Sequence, residues 1–127
     1  MGMPKSQRTS IFRKLKSLLR KYESPFVAKA NGKSRYELWS TKEAVVAGRK
    51  RKGMFFASLI IQRSYVGFYY MPIYAKKDLR SVFKKELLAT LKGKSCFHIA
   101  ELNSVLLGQI RSSLRHGLRL YRKQGWV

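Results

Sequence analysis

Negative charge is scarce in this chain of 127 residues. Six acids, Glu23, Glu37, Glu43, Asp78, Glu86 and Glu101, stand against 28 Lys and Arg, a formal net charge of +22. Carboxylates so few and so scattered argue against acid/base catalysis by a carboxylate pair, which needs two at a controlled separation. Cysteine is nearly missing as well. Cys96 stands alone, which excludes an intramolecular disulfide and agrees with a reducing compartment, so a cytoplasmic location is expected. The two histidines, His98 and His116, are far apart in sequence and have only Cys96 to join them. That is too little for the usual zinc ligand sets, so neither a metal nor another cofactor is expected. Long apolar runs are missing too. The longest, Met54 to Ile61, is far short of the ~20 residues that span a bilayer. The first 22 residues are basic and amphipathic, without the apolar core of a secretory signal, and none is expected. Gly-Lys-Ser occurs at 32–34 and at 93–95, each time without the upstream glycine of a phosphate-binding loop.

What is present is a core. The chain is 45% hydrophobic and 13% aromatic, too rich in both for a disordered basic tail. The length fits one domain over 1–127, with 1–8 expected as a flexible basic N-terminus. Ile11, Phe12, Leu15, Leu18, Leu19 and Tyr22 recur at helical spacing, with Thr9 or Ser10 read as the cap and Pro25 as the stop. Phe26–Ala30 and Arg35–Ser40 read as strands joined at Asn31-Gly32, a hairpin signal. Val45-Val46 reads as a short strand, Gly48 to Gly53 as a basic loop, Met54–Gln62 as a central strand, and Tyr65–Tyr74 as the next, with Pro72 near an edge or bend. A second helix is expected from a cap at Asp78 through Leu79, Val82, Phe83, Leu87, Leu88 and Leu91 to Gly93. Cys96–Ile99 reads as a strand, and Asn103 or Ser104 caps a last helix that Gly125 ends. The expected fold class is α+β, an antiparallel sheet of about five strands packed against an N-terminal helix and two C-terminal helices.

The strings GRKRKGMFFASLIIQRSYVGFYYMPIY, LLATLKGKSCFHI and GLRLYRKQGW resemble the YdhG-like domain family, small bacterial and archaeal domains of unknown function. The resemblance covers 9–127, and the Gly-Lys-Ser-Cys-Phe-His segment at 93–98 is its most specific part. It implies an antiparallel sheet packed against flanking helices, with no established reaction and no agreed catalytic residues. Some distant relatives carry an iron-chaperone label. That role wants exposed carboxylates, and six acids among 28 cations do not supply them.

Three constellations bear on function. Cys96 and His98, two apart on a strand, share a face and make the start of a nucleophile pair, though Glu101 is the one acid nearby in sequence to orient the base. Against this stands the plainer reading of a small buried thiol beside a hydrogen-bonded imidazole. Arg111, Arg115, Arg119 and Arg122 fall on one face of the last helix, and Arg49, Lys50, Arg51 and Lys52 are consecutive. An ordinary solvated face mixes both signs of charge, whereas these clusters do not. Alternation puts Tyr65, Gly67, Tyr69 and Met71 on one side of their strand and Val66, Phe68, Tyr70 and Pro72 on the other; one side must face the helices, and the other can meet a ligand.

The leading expectation is a non-enzymatic binding domain for a polyanion such as nucleic acid, with the 49–52 cluster, helix one and the arginine stripe on a common face. The alternative is a small-molecule or protein binding module, its groove between sheet and helices near Trp39, Tyr69 and His98. A Cys/His enzyme comes third.

Overall fold

A six-stranded antiparallel sheet organises the chain, in the order β1-β2-β5-β6-β8-β7. The computed structural model describes residues 4–75 and 83–127. Their elements run α1 (Lys5–Arg20), β1 (Val27–Asn31), β2 (Arg35–Trp39), β3 (Glu43–Val46), β4 (Arg49–Lys52), β5 (Phe55–Ile61), β6 (Val66–Tyr70), α2 (Met71–Ala75), α3 (Lys85–Leu88), β7 (Leu91–Lys92), β8 (Cys96–Ile99) and α4 (Ser104–Gln124). The class is α+β, and the sheet has six strands because Leu91–Lys92 adds a short edge beside β8.

The core lies between one face of this sheet and the helices. Tyr36, Leu38, Ala57, Leu59, Val66, Phe68, Tyr70, Phe97 and Ile99 point to that face and are fully buried. They meet Ile11, Phe12, Leu15, Leu18 and Leu19 of α1 and Ile110, Leu114 and Tyr121 of α4. Three buried tyrosines keep their hydroxyls satisfied, as burial requires. Tyr36 donates to Glu23 at 2.5 Å, Tyr70 to the Ser113 carbonyl, and Tyr121 to the Phe55 carbonyl at 2.5 Å. Asn103 caps α4 through its side chain, which accepts from the Leu106 N–H at 2.9 Å, and Gly125 closes the helix at φ 76°. Trp126 then folds back edge-on to Tyr121.

Several expectations are corrected. α1 starts at Lys5, so Thr9 and Ser10 lie inside it and residues 5–8 are helical. Tertiary bonds extend it: Arg8 donates to the Gln62 carbonyl at 2.9 Å and Gln7 to that of Ala100. Residues 49–52 form a strand. β3 and β4 make a separate hairpin, with Ala47 (φ 52°) and Gly48 (φ 79°) at its turn, both left-handed as a tight two-residue turn demands. Pro72 starts no bend in a strand; β6 stops at Tyr70 and Pro72 sits in the first turn of α2, where its missing N–H costs nothing. The helix expected to run to Gly93 ends at Leu88, and Gly93 (φ 74°) turns β7 into β8 instead. Asp78, Leu79 and Val82, read as its start, lie outside the described residues.

Candidate functional site: the open face of the sheet

The second face of the sheet carries no helix among the described elements. Strand alternation and register place Arg35, Glu37 and Trp39 of β2, Ser58 and Ile60 of β5, Gly67 and Tyr69 of β6, and Cys96 and His98 of β8 together on it. Trp39, Ile60, Tyr69 and His98 are each partly exposed, whereas the core-facing residues that alternate with them are buried.

A register step recruits one more ring. Leu38 pairs with Ala57 but Trp39 pairs with Phe55, so one residue of β5 is extra. The step sends Phe56 into the core, stacked on Phe26 at 4.1 Å, and leaves Phe55 beside Trp39, ring centroids 5.4 Å apart. Lys29 of β1, two residues after Val27, which pairs with Trp39, places its ammonium 4.4 Å from the Trp39 ring centroid.

These residues wall a groove of about 680 Å³, lined by Trp39, Phe55, Ile60, Tyr69 and Met71, with Arg35 and Arg51 at its rim. Its one carboxylate, Glu37, is already engaged. It accepts from Trp39 Nε1 at 3.0 Å and from Arg35 Nε at 2.6 Å. The Trp39 bond, together with Arg35, holds Glu37 below the ordinary carboxylate range despite its partial burial. The β3–β4 hairpin supplies Arg51, which pairs with the buried Ala44 and so faces the body; Lys50 and Lys52 point the other way and are exposed. The hairpin's root is fixed. Ser40 donates its N–H to the Met54 carbonyl at 2.9 Å, its hydroxyl accepts from the Met54 N–H at 2.8 Å, and Gly53, at φ 122°, sits against the Ser40 carbonyl with no room for a side chain.

Trp39 and Tyr69 share the groove, but on the open face of the sheet and not between sheet and helices. His98 lies on the same face outside the groove, stacked flat on Tyr65 at 3.8 Å and 8°. Burial and, next, the nearby Lys92 push its pKa down, so the ring is neutral at physiological pH. Cys96 shares this face with His98, and its hydrogen bond is with Tyr69. Burial pushes its thiol pKa up, the opposite of an activated nucleophile. No group of three or more His, Cys, Asp or Glu among the described residues is placed to hold a metal ion.

The basic clusters do not share a common face. Arg111, Arg115, Arg119 and Arg122 are exposed on α4, whose inner side packs on the core face through Ile110, Leu114 and Tyr121. Arg51 lines the opposite, open face. Helix α1 lies with α4, and Lys16 of α1 is committed to the fold, donating to the Gly32 carbonyl at 3.1 Å with its ammonium 5.3 Å from the Tyr36 ring centroid.

No protein family, curated protein or solved structure matches this chain. No helix among the described residues is long and apolar enough to cross a membrane.

Proposed function

We propose that the open face binds single-stranded nucleic acid without catalysing a reaction. Bases stack on Trp39, Phe55 and Tyr69, and phosphates meet Arg51 and Arg35, with Arg49 on the same side of β4 as Arg51. One observation carries this reading: a row of partly exposed aromatic rings on a sheet face that no helix among the described residues covers, rimmed by guanidinium groups. Rings offer every base a stacking partner worth about 1–3 kcal/mol, independent of sequence. Cations follow the backbone and gain from counterion release. The overall charge of +22 attracts such a strand from a distance. A cytoplasmic setting, in which Cys96 stays a thiol, suits this role. The likeness to YdhG-like domains supplies a fold expectation and no competing reaction.

Titrating a fluorescent oligothymidylate across a salt series tests the proposal. Binding should persist near 150 mM salt, and Trp39→Ala with Tyr69→Ala should weaken it about 30-fold or more, as loss of two stacking partners implies. Equal affinity for wild type and the double variant contradicts it.

A small planar anion is the second reading, favoured by the size of the groove, which falls in the ordinary range for ligand sites of about 300–1,000 Å³. In that case mononucleotides bind as tightly as long strands, and affinity depends little on salt. A membrane surface finds less support, because the apolar side of α1 is buried in the core.

A further inference from the structure

We infer that the helical layer is a second nucleic-acid surface, which takes the phosphate backbone of a separate segment, so that one molecule holds two segments on opposite faces. The inference rests on the single-strand reading of the open face. Arg111, Arg115 and Arg119 recur every fourth residue and Arg122 three later, which spaces their Cα atoms about 4.5–6 Å apart along the axis of α4. All four are exposed. The two ion pairs among the described residues, Arg20–Glu23 and Arg35–Glu37, involve none of them.

α1 adds to the same layer. Its N-terminal half meets the start of α4 at a cleft that Lys14, Asn103 and one carboxylate, Glu101, line. Its C-terminal end brings Tyr22 near Arg115, whose charge partly offsets the rise that burial causes in the tyrosine's pKa. Lys21 lies seven residues beyond Lys14, on the same side of that helix turn for turn. Tyr22 packs inward toward Phe56, so this surface offers cations and not a row of open rings. Its chemistry fits phosphates, not bases.

Distance argues for a second occupant. A strand in the groove is separated from the stripe by the sheet and by α4, roughly 10 Å for each layer. Screening at physiological salt acts over about 8 Å. A strand in the groove therefore leaves the stripe's charge unneutralised, and a second backbone is the polyanion that offsets it.

The test uses two oligothymidylates that cannot pair, one carrying a donor fluorophore and one an acceptor, near 150 mM salt, with the full-length protein and its arginine variant both carrying Trp126→Phe so that Trp39 is the sole indole. The arginine-intact protein should bring them together, and excess protein should separate them again as each strand finds its own molecule. Arg115→Glu with Arg119→Glu should abolish energy transfer while Trp39 quenching by one strand keeps its midpoint within about twofold, since these exposed residues lie far from the groove. Quenching of Trp39 without energy transfer in the arginine-intact protein, or full transfer in the arginine variant, overturns the inference and leaves the open-face reading standing. Absence of Trp39 quenching marks failure of the open-face reading, and takes this inference with it. Vesicles containing phosphatidylserine displacing the second strand more readily than free strand does would overturn the choice of partner.

Discussion

The ring of Tyr69 lies over Gly67: a Cβ on that glycine would stand 2.9 Å from Cε2 of the tyrosine. The two share the open face of β6, and the missing side chain lets the ring settle along the strand. Gly67→Ala therefore has one cheap escape, which is to swing Tyr69 away. Affinity for oligothymidylate should fall about tenfold, the equivalent of ~1.4 kcal/mol of lost stacking. The thermal midpoint should change little, because the displaced ring is not part of the core. An unchanged affinity would place Tyr69 outside the binding surface.

Two glycines of α4 should respond in opposite directions to alanine. A methyl at Gly108 would meet nothing within 4 Å, so Gly108→Ala should stabilise by about 0.5–1 kcal/mol through helix propensity alone. At Gly117 the methyl would collide with the Tyr70 hydroxyl and with Pro72 Cγ. Overpacking of this kind costs about 1–3 kcal/mol, which outweighs the propensity gain. Urea denaturation of the two variants checks both signs.

Ser40 holds the root of the basic hairpin. Ser40→Ala leaves the buried Met54 N–H without its acceptor and should cost about 1–3 kcal/mol. Hydrogen exchange should show the amides of 43–52 opening faster than those of β5 and β6.

Acid should weaken the open face through two groups. The folded pKa of Glu37 lies below its unfolded value, so its contribution to stability is present above the ordinary carboxylate pKa and fades as pH falls through the folded value. His98 also has a lowered folded pKa. The fold favours its neutral form, so its contribution is complete above about pH 6.5 and fades as pH drops through the folded value. Proton NMR of the imidazole should give a midpoint below the ordinary histidine value, and Lys92→Ala should raise it in part. Glu37→Gln should flatten the stability profile in the more acidic range.

Much of the fold was legible because period-two and helical patterns map directly onto faces. Alternation along β6 separated Tyr65, Gly67 and Tyr69 from Val66, Phe68 and Tyr70, and the structure buries the second set. Asn103 and Gly125 bounded α4 as their capping chemistry implies. What escaped has local causes. Phe55 joins the open face through a register step, and a strict alternation assigns every residue past such a step to the wrong side. Arg49–Lys52 reads as a solvated loop from its charge, yet pairs with Glu43–Val46 to form a strand. The arginine clusters were legible as clusters, but their placement on opposite faces depends on tertiary packing that no local pattern encodes.

The central claim is that a single strand stacks on the open face, and Trp39 can report it directly. Trp126 packs against Tyr121, away from the groove, so Trp126→Phe leaves Trp39 as the sole indole. Adding oligothymidylate to that variant near physiological salt should quench its emission saturably, at a midpoint that weakens with salt with a log–log slope of about −0.7 per phosphate contacted. Binding seen by strand anisotropy with no change in Trp39 emission would contradict the account.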